Sequence, residues 1–219
     1  MQGDMWQELD GKHKGETCLI IGNGPSLKDV PLEFLHKYPT FGTNRIYLMD
    51  GFEPTYYASV NPLVVEQSVE NINKLTSIKF ITSNLAHLID GALPLVSHHT
   101  PCFSMNPRAY IYDGYTVTYA CLQLAYYMDF DTVLLVGVDH RFTFHGSPNE
   151  QVVATGPDPN HFHPEYFGVG VKWNNPDLAR SESAYKIAEQ VYTSNNKHII
   201  NLTEGTALDV FEKGQLSDY

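Results

Sequence analysis

Basic residues are scarce in this chain: 14 Lys and Arg stand against 25 Asp and Glu, a net charge of −11. Binding to nucleic acid draws on clustered cations, and no cluster appears, so a nucleic-acid partner is not expected. A single nucleotide needs only one or two cations and some backbone donors, so that ligand class survives. Cysteine is also sparse. Cys18, Cys102 and Cys121 are an odd number with no C-x-x-C spacing, which removes a disulfide framework and the strong zinc signatures. No apolar run approaches the roughly 18 residues of a membrane span, and no signal-peptide pattern opens the sequence. The expectation is therefore a soluble, cytoplasmic protein, with peripheral membrane association and self-association left open. The two standard nucleotide motifs, G-x-G-x-x-G and G-x-x-x-x-G-K-[ST], are missing too.

What is present is an ordinary globular composition, 42% apolar and 18% charged over 219 residues. That length suits one domain spanning residues 1–219. An apolar run, Cys18-Leu19-Ile20-Ile21, stops in Gly22-Asn23-Gly24-Pro25-Ser26. It is too short for a helix and ends in glycines, so it reads as a buried strand opening into a tight turn. Glycines there allow a ligand close to the backbone, and their N–H groups suit a phosphate. Ser26 is placed to cap the short helix that follows.

Strand, turn and helix then alternate. Residues 40–44 and 56–60 read as strands ending in Asn44-Arg45 and Asn61-Pro62, residues 63–75 as a helix, and 78–81 and 95–97 as weaker strands. Residues 115–130 read as a helix and 132–138 as a continuous apolar strand ending at Asp139, the pattern of a strand covered on both faces of a parallel sheet. A long helix over 177–195 and a strand over 199–202 close the series. The fold class expected is α/β: a single Rossmann-like domain with a mostly parallel sheet flanked by helices. Residues 140–176, rich in His, Pro, Gly and aromatics, have no periodicity and read as an irregular lid or substrate loop.

The polar residues gather at one place in this scheme. Gly22, Asn23 and Gly24, then Asn44 and Arg45, then Asn61 and Pro62, then Asp139, His140 and Arg141 all fall at carboxyl ends of predicted parallel strands, the edge where open α/β sheets bind ligands. Uncharged amides read sugar hydroxyls or a base edge, and a guanidinium suits a phosphate. Asp139 is a candidate base or hydroxyl anchor. Thr116 and Thr118 open a helix where free N–H groups could hold an anion. His161 and His163 are candidate general bases because imidazole titrates near neutral pH; His161 is favoured, since His163 precedes Pro164. Neither the His161, His163 and Glu165 group nor the His98-His99 pair has a strong metal spacing, so no metal and no cofactor are expected.

The string from Ile20 to Leu27, with Asn44, Asn61-Pro62 and Gly137-Val138-Asp139, resembles the bacterial CMP-sialic-acid-dependent sialyltransferases of glycosyltransferase family 42. The resemblance implies a metal-free transfer from a CMP-sugar to a glycan hydroxyl in surface glycan synthesis. It implies that Asn23, Gly24, Ser26, Asn44 and Asn61 contact the CMP-sugar, and that residues 116–118 and Asp139 line the cytidine side. Arg141 stands where that family has the tyrosine serving the leaving phosphate, and the family's general-base histidine has no counterpart at its usual spacing. The same Gly-x-Gly-Pro-Ser-Leu opening, with Asn160-His161-Phe162-His163-Pro164-Glu165-Tyr166-Phe167-Gly168 and Trp173, also resembles the 6-hydroxymethylpterin diphosphokinase-like family, many of whose bacterial members look like surface-polysaccharide proteins. That resemblance implies pyrophosphoryl transfer or a non-catalytic nucleotide-binding protein as alternatives. Asn44 and Asn61, neutral amides where magnesium chemistry needs carboxylates, count against the first.

Overall fold

The computed structural model describes residues 2–98 and 100–219. In chain order it holds α1 (Gln2–Leu9), β1 (Thr17–Ile21), α2 (Leu32–Leu35), β2 (Thr40–Thr43), β3 (Tyr56–Ser59), α3 (Pro62–Glu66), α4 (Val69–Lys74), β4 (Ile78–Thr82) and β5 (Leu93–Leu95). After these come β6 (Ser97–His98), β7 (Ile111–Tyr112), α5 (Val117–Tyr127), β8 (Thr132–Val136), β9 (Gln151–Val153), β10 (Lys172–Asn174), α6 (Leu178–Ser194), β11 (His198–Asn201) and β12 (Glu212–Lys213). Eight strands form one sheet in the order β12-β11-β8-β1-β2-β3-β4-β5, and every pair in it is parallel. The expected Rossmann-like α/β domain is the observed one. From β1 the chain moves outward through β2 to β5, then returns to the other side of β1 with β8. The strand order therefore reverses between β1 and β8, and a crevice must open there at the carboxyl edge.

Both faces of the sheet are covered, as the apolar strands require. Cys18, Ile20, Phe41, Tyr56, Val133 and Leu135 pack on one face with side chains of α1, α5 and α6. Leu19, Ile21, Tyr57, Ile81, Leu134 and Val136 point the other way, the two-residue alternation of a strand, into a second core. Phe162 and Tyr166 of the lid are buried in that second core. The lid is thus anchored by the same hydrophobic burial that holds the sheet.

Several expectations are corrected here. The helix expected over 63–75 is two, α3 and α4, parted at Gln67 and Ser68, where the Tyr47 hydroxyl donates to Ser68 Oγ at 2.7 Å. The helix expected from 115 begins only at Val117, because Gly114 and Tyr115 have φ of 59° and 61°, outside helical space. The lid is not structureless: β9 and β10 pair antiparallel within it. The weak strand expected over 95–97 divides into β5 of the main sheet and β6 of a two-stranded one with β7. Neither α1 nor the two-residue β12 was expected from the residue pattern. His99 lies outside the described residues; His98 Nδ1 accepts the Thr100 N–H at 3.2 Å. No described helix is long and apolar enough to cross a membrane.

Candidate functional site

The crevice between β1 and β8 is made by two glycines. A Cβ on Gly137, whose φ is +67°, would sit 2.7 Å from the Gly22 carbonyl oxygen, and one on Gly22 would sit 2.8 Å from the Gly137 carbonyl carbon. Only glycine at both positions lets the two turns come this close. Gly24 closes the join, its N–H donating to Gly137 O at 2.9 Å. Asp139 then locks the loop from the other strand: Ser26 N–H donates to its Oδ1 at 3.3 Å and Ser26 Oγ to its Oδ2 at 2.7 Å. A Cβ on Gly24 would fall 2.6 Å from the Asp139 carboxyl carbon.

This geometry corrects three sequence expectations. Ser26 does not cap the short helical turn after it; Gly24 is the cap residue, and the serine hydroxyl is spent on Asp139. Both carboxylate oxygens of Asp139, expected only as a base or hydroxyl anchor, accept hydrogen bonds and so also clasp the loop. The N–H groups of Gly22, Gly24, Ser26 and Leu27 all have acceptors within the chain, which leaves the turn no nest of those donors for a phosphate.

Above the crevice a cleft of about 590 Å³ opens, with Gly22, Gly24, Asn44, Asn61, Thr116, Thr118, Asp139, Arg141 and His161 in its wall. Asn23, Ser26, Arg45 and His163, expected with them, are not in that wall. Asn23 is turned sideways, donating from Nδ2 to Thr43 O at 3.1 Å and Thr43 Oγ1 at 2.8 Å, and so ties β1 to β2. Its carbonyl oxygen accepts the Phe162 N–H at 2.9 Å, tying the lid to the loop. Asn44 has φ +49°, and its Oδ1 accepts Ser59 Oγ at 3.1 Å. Asn61 caps α3 by accepting Leu63 N–H at 3.0 Å. His163 Nδ1 accepts the Glu165 N–H at 3.2 Å and closes a turn.

Arg45 lies under the lid. It is 9% exposed, its N–H donates to the Tyr166 hydroxyl at 3.5 Å, and its guanidinium carbon sits 5.7 Å from the centre of the Phe167 ring. Its buried Nε has no hydrogen-bond partner, and among the described residues no carboxylate lies within ion-pairing distance of it. Arg141, exposed on the cleft wall, has no ion pair either among the described residues. His161 lies flat against Tyr166, with ring centres 3.9 Å apart, and its Nδ1 is 2.7 Å from Asp158 Oδ2. Asp158 also accepts the N–H groups of Asn160 at 2.8 Å and Phe167 at 3.2 Å. Burial drives the Tyr166 hydroxyl's pKa up.

The opposite wall holds Thr116 and His140, both expected at this edge, together with Tyr115 and Asn149, to which sequence reasoning gave no role. Tyr115 projects there with φ +61°, its hydroxyl accepting from Arg180 Nη1 at 2.9 Å. His140 has φ +55°, and its Nε2 stands 3.7 Å from Glu182 Oε1 on α6. Thr116 Oγ1 is 3.2 Å from the Tyr185 hydroxyl instead of capping α5. Asn149, with φ +64°, donates to Asp177 Oδ2 at 3.0 Å. Asn44, Tyr115, His140 and Asn149 are thus four non-glycine residues with left-handed backbone in one cleft. Each such residue costs about 1–3 kcal/mol, and strain of this kind gathers at functional sites. No single-sequence pattern marks backbone strain, so Tyr115 and His140 left no signal beyond their place after predicted turns. Among the described residues no three His, Cys, Asp or Glu side chains converge as a metal site.

A family model described as 6-hydroxymethylpterin diphosphokinase MptE-like matches residues 2–144. The match runs from α1 through β8 and the turn that carries Asp139 and Arg141, and stops short of most of the lid. No curated protein matches the chain. Of the two resemblances read from the motifs, this match supports the second and says nothing for family 42. The chain belongs to the MptE-like family.

Proposed function

We propose, from membership of the MptE-like family and the cleft at the strand-order reversal, that this protein is a transferase acting on a nucleotide-activated sugar. It moves the glycosyl group, sialic-acid-like and carried by CMP, to an acceptor hydroxyl in surface glycan synthesis. One observation carries the reading. In a chain of net charge −11, Arg141 stands on the cleft wall and Arg45 is buried beside that wall, and neither has a carboxylate partner among the described residues. Arg141 offers an anionic ligand a guanidinium fork in the wall, and Arg45, behind Phe167 and outside the wall, adds positive potential to the same edge. The cleft volume is in the usual range for small-molecule sites, about 300–1,000 Å³. Asn44, Asn61, Thr116 and Thr118 supply uncharged donors and acceptors for sugar and base, and Phe167, stacked on Trp173 at 5.2 Å, supplies a flat apolar wall. Arg141 takes the charge of the leaving phosphate, and a cleft histidine takes the proton of the attacking hydroxyl.

The family's printed activity, pyrophosphoryl transfer, implies ATP with magnesium. Among the described residues the cleft offers that group one uncommitted carboxylate, Asp113, and no converging set of three ligands, which is a poor fit. The ends of β2 and β3 carry Asn44 and Asn61, and Asp139 is spent on Ser26. Asp177 accepts Arg180 N–H at 3.1 Å and Asn149 Nδ2 at 3.0 Å. Amides are poor ligands for so hard a cation. The test is a thermal-shift series with CMP, CDP, UDP, GDP and ATP, each with Mg²⁺ and with excess EDTA. Stabilisation by CMP that EDTA leaves intact is expected. Stabilisation by ATP alone, and only with magnesium, overturns the reading in favour of the diphosphokinase.

A further inference from the structure

Among the described residues two histidines reach the cleft, and they are held in opposite ways. His161 is enclosed by Tyr166, Phe142 and Phe167, and its Nδ1 is bonded to Asp158, whose side chain is 3% exposed and also holds two lid N–H groups. That is a latch for the lid turn. His140 is held by its backbone instead. The Thr206 hydroxyl donates to Val138 O at 2.7 Å, Ala207 N–H to Asp139 O at 2.9 Å, and Val138 N–H to Thr203 Oγ1 at 3.0 Å. This grip from the segment after β11 fixes the turn that leads into His140, whose left-handed backbone costs a non-glycine residue energy.

We propose that His140, oriented by Glu182, is the general base for the attacking hydroxyl, and that the acceptor therefore sits on the α6 side of the cleft, beside Tyr115 and Thr116. The proposal rests on the glycosyl-transfer reading. Nε2 is turned toward Glu182, which leaves Nδ1 to accept the proton. The hydroxyl oxygen forms the new bond to the anomeric carbon, the bond from that carbon to the phosphate oxygen breaks, and its electron pair leaves with the phosphate. The proton stays on Nδ1 of the imidazolium, which Glu182 steadies from Nε2, until the product leaves and Nδ1 gives it up to water entering the cleft. The groups facing the imidazole are Glu182 and Tyr185 from α6, with Asp139 and Arg141 beside it on its own turn. Burial lowers the His140 pKa, and Glu182 raises it in part, so the ring is an acceptor at neutral pH. The 3.7 Å separation from Glu182 is of the kind that tightens when substrate binds.

The test uses the whole chain and a panel of CMP-, UDP- and GDP-sugars, reading nucleotide release with water as acceptor, then with a hydroxyl acceptor. His140→Gly suits the left-handed backbone, which offsets part of the loss of a buried ring, so it should still fold, as its own melting curve will check. It should lose about 10²–10⁴ in kcat, the usual worth of a general base, with nucleotide affinity unchanged, and added imidazole should restore at least tenfold. Glu182→Gln should lower kcat less and move the acidic limb of the pH profile downward. A parent that turns over while His140→Gly keeps within threefold of its rate, or gains nothing from imidazole, overturns the assignment alone. Loss of the acidic limb in His161→Ala, with the limb kept in His140→Gly, hands the role to His161. A parent that releases nucleotide from no donor in the panel overturns the transferase reading, and this proposal with it.

Discussion

The two ends of the sheet use the same kinds of side chain to opposite effect. At the amino edge His13 is buried with both ring nitrogens bonded, Nδ1 to Glu16 Oε2 at 3.0 Å and Nε2 to the Tyr56 hydroxyl at 2.6 Å, and its ring stacks on Phe130 at 4.3 Å. The Lys197 ammonium donates to Asp129, Asp131 and the Phe130 carbonyl at 2.7, 3.2 and 2.9 Å. The left-handed residues at that end, Asp129 and Asn196, sit just beyond α5 and α6, where helices commonly stop with such a residue. At the carboxyl edge Arg45 Nε, Asn23 Oδ1 and Asn175 Oδ1 are buried without partners, and the left-handed residues end no helix. Polar groups that satisfy one another hold a fold together. Polar groups held apart at a cost are kept for something else.

The sharpest break in that comparison is made with glycines. Gly22→Ala presses a methyl group into the Gly137 backbone, which cannot swing aside, so it is expected to cost about 3 kcal/mol or more. Gly15→Ala at the other end meets only the Asp131 carboxylate, 3.9 Å away, and bears only the left-handed backbone penalty of about 1 kcal/mol. Urea unfolding measures both. Equal costs would mean that the crevice is no tighter than an ordinary turn.

A second contrast pairs His13 with Arg45. His13→Ala removes two hydrogen bonds and a stacked ring and leaves Tyr56 and Glu16 without their partner, so it should cost about 2–4 kcal/mol and leave CMP affinity alone. Arg45→Met removes an unpaired buried charge. It should leave stability unchanged or raise it by about 1 kcal/mol, since a buried charge without a partner is costly, yet weaken CMP binding at least tenfold, about 1.4 kcal/mol, through the lost positive potential behind the cleft wall. Calorimetry and unfolding on both variants decide it. An Arg45→Met protein that binds CMP as the parent does removes the main support for an anionic ligand.

Much of this was legible before the structure. Short β-branched runs closed by Gly or Asn give buried parallel strands whose carboxyl ends share an edge, and that placed Gly22, Gly24, Asn44, Asn61, Asp139 and Arg141 in one cleft. What was not legible is where side chains turn once there. Asn23 and Asn44 follow equivalent strands, yet one spans sideways to Thr43 and the other faces the cleft. Arg45 was read as a strand-end cation, but its burial under Tyr166 and Phe167 depends on a lid whose anchoring residues lie over a hundred positions away. His140 depends on Thr203 and Thr206, which have no local pattern linking them to it. Contacts of that range set backbone strain, and periodicity does not report them.

The smallest effect concerns His140 and its sign. Burial lowers its pKa below the ordinary imidazole value near 6.5, with Glu182 opposing in part. As pH falls through about 6.5 the unfolded chain takes up this proton before the folded one, so its contribution to stability is full above that value and declines below it. The decline ends once pH has passed the lowered folded value and both states are protonated. His140→Asn tolerates the left-handed backbone and removes the titration. Measured by urea unfolding at pH 7.5 and 5.5, the parent should lose more stability than His140→Asn over that interval, by at most about 1 kcal/mol. Glu182→Gln should widen the parent's loss, because the carboxylate that holds the imidazolium in place is gone. If His140→Asn loses as much as the parent, the imidazole is not held neutral by its burial, and the carboxyl edge has lost the one titrating group that sets it apart from the satisfied histidine at the other end.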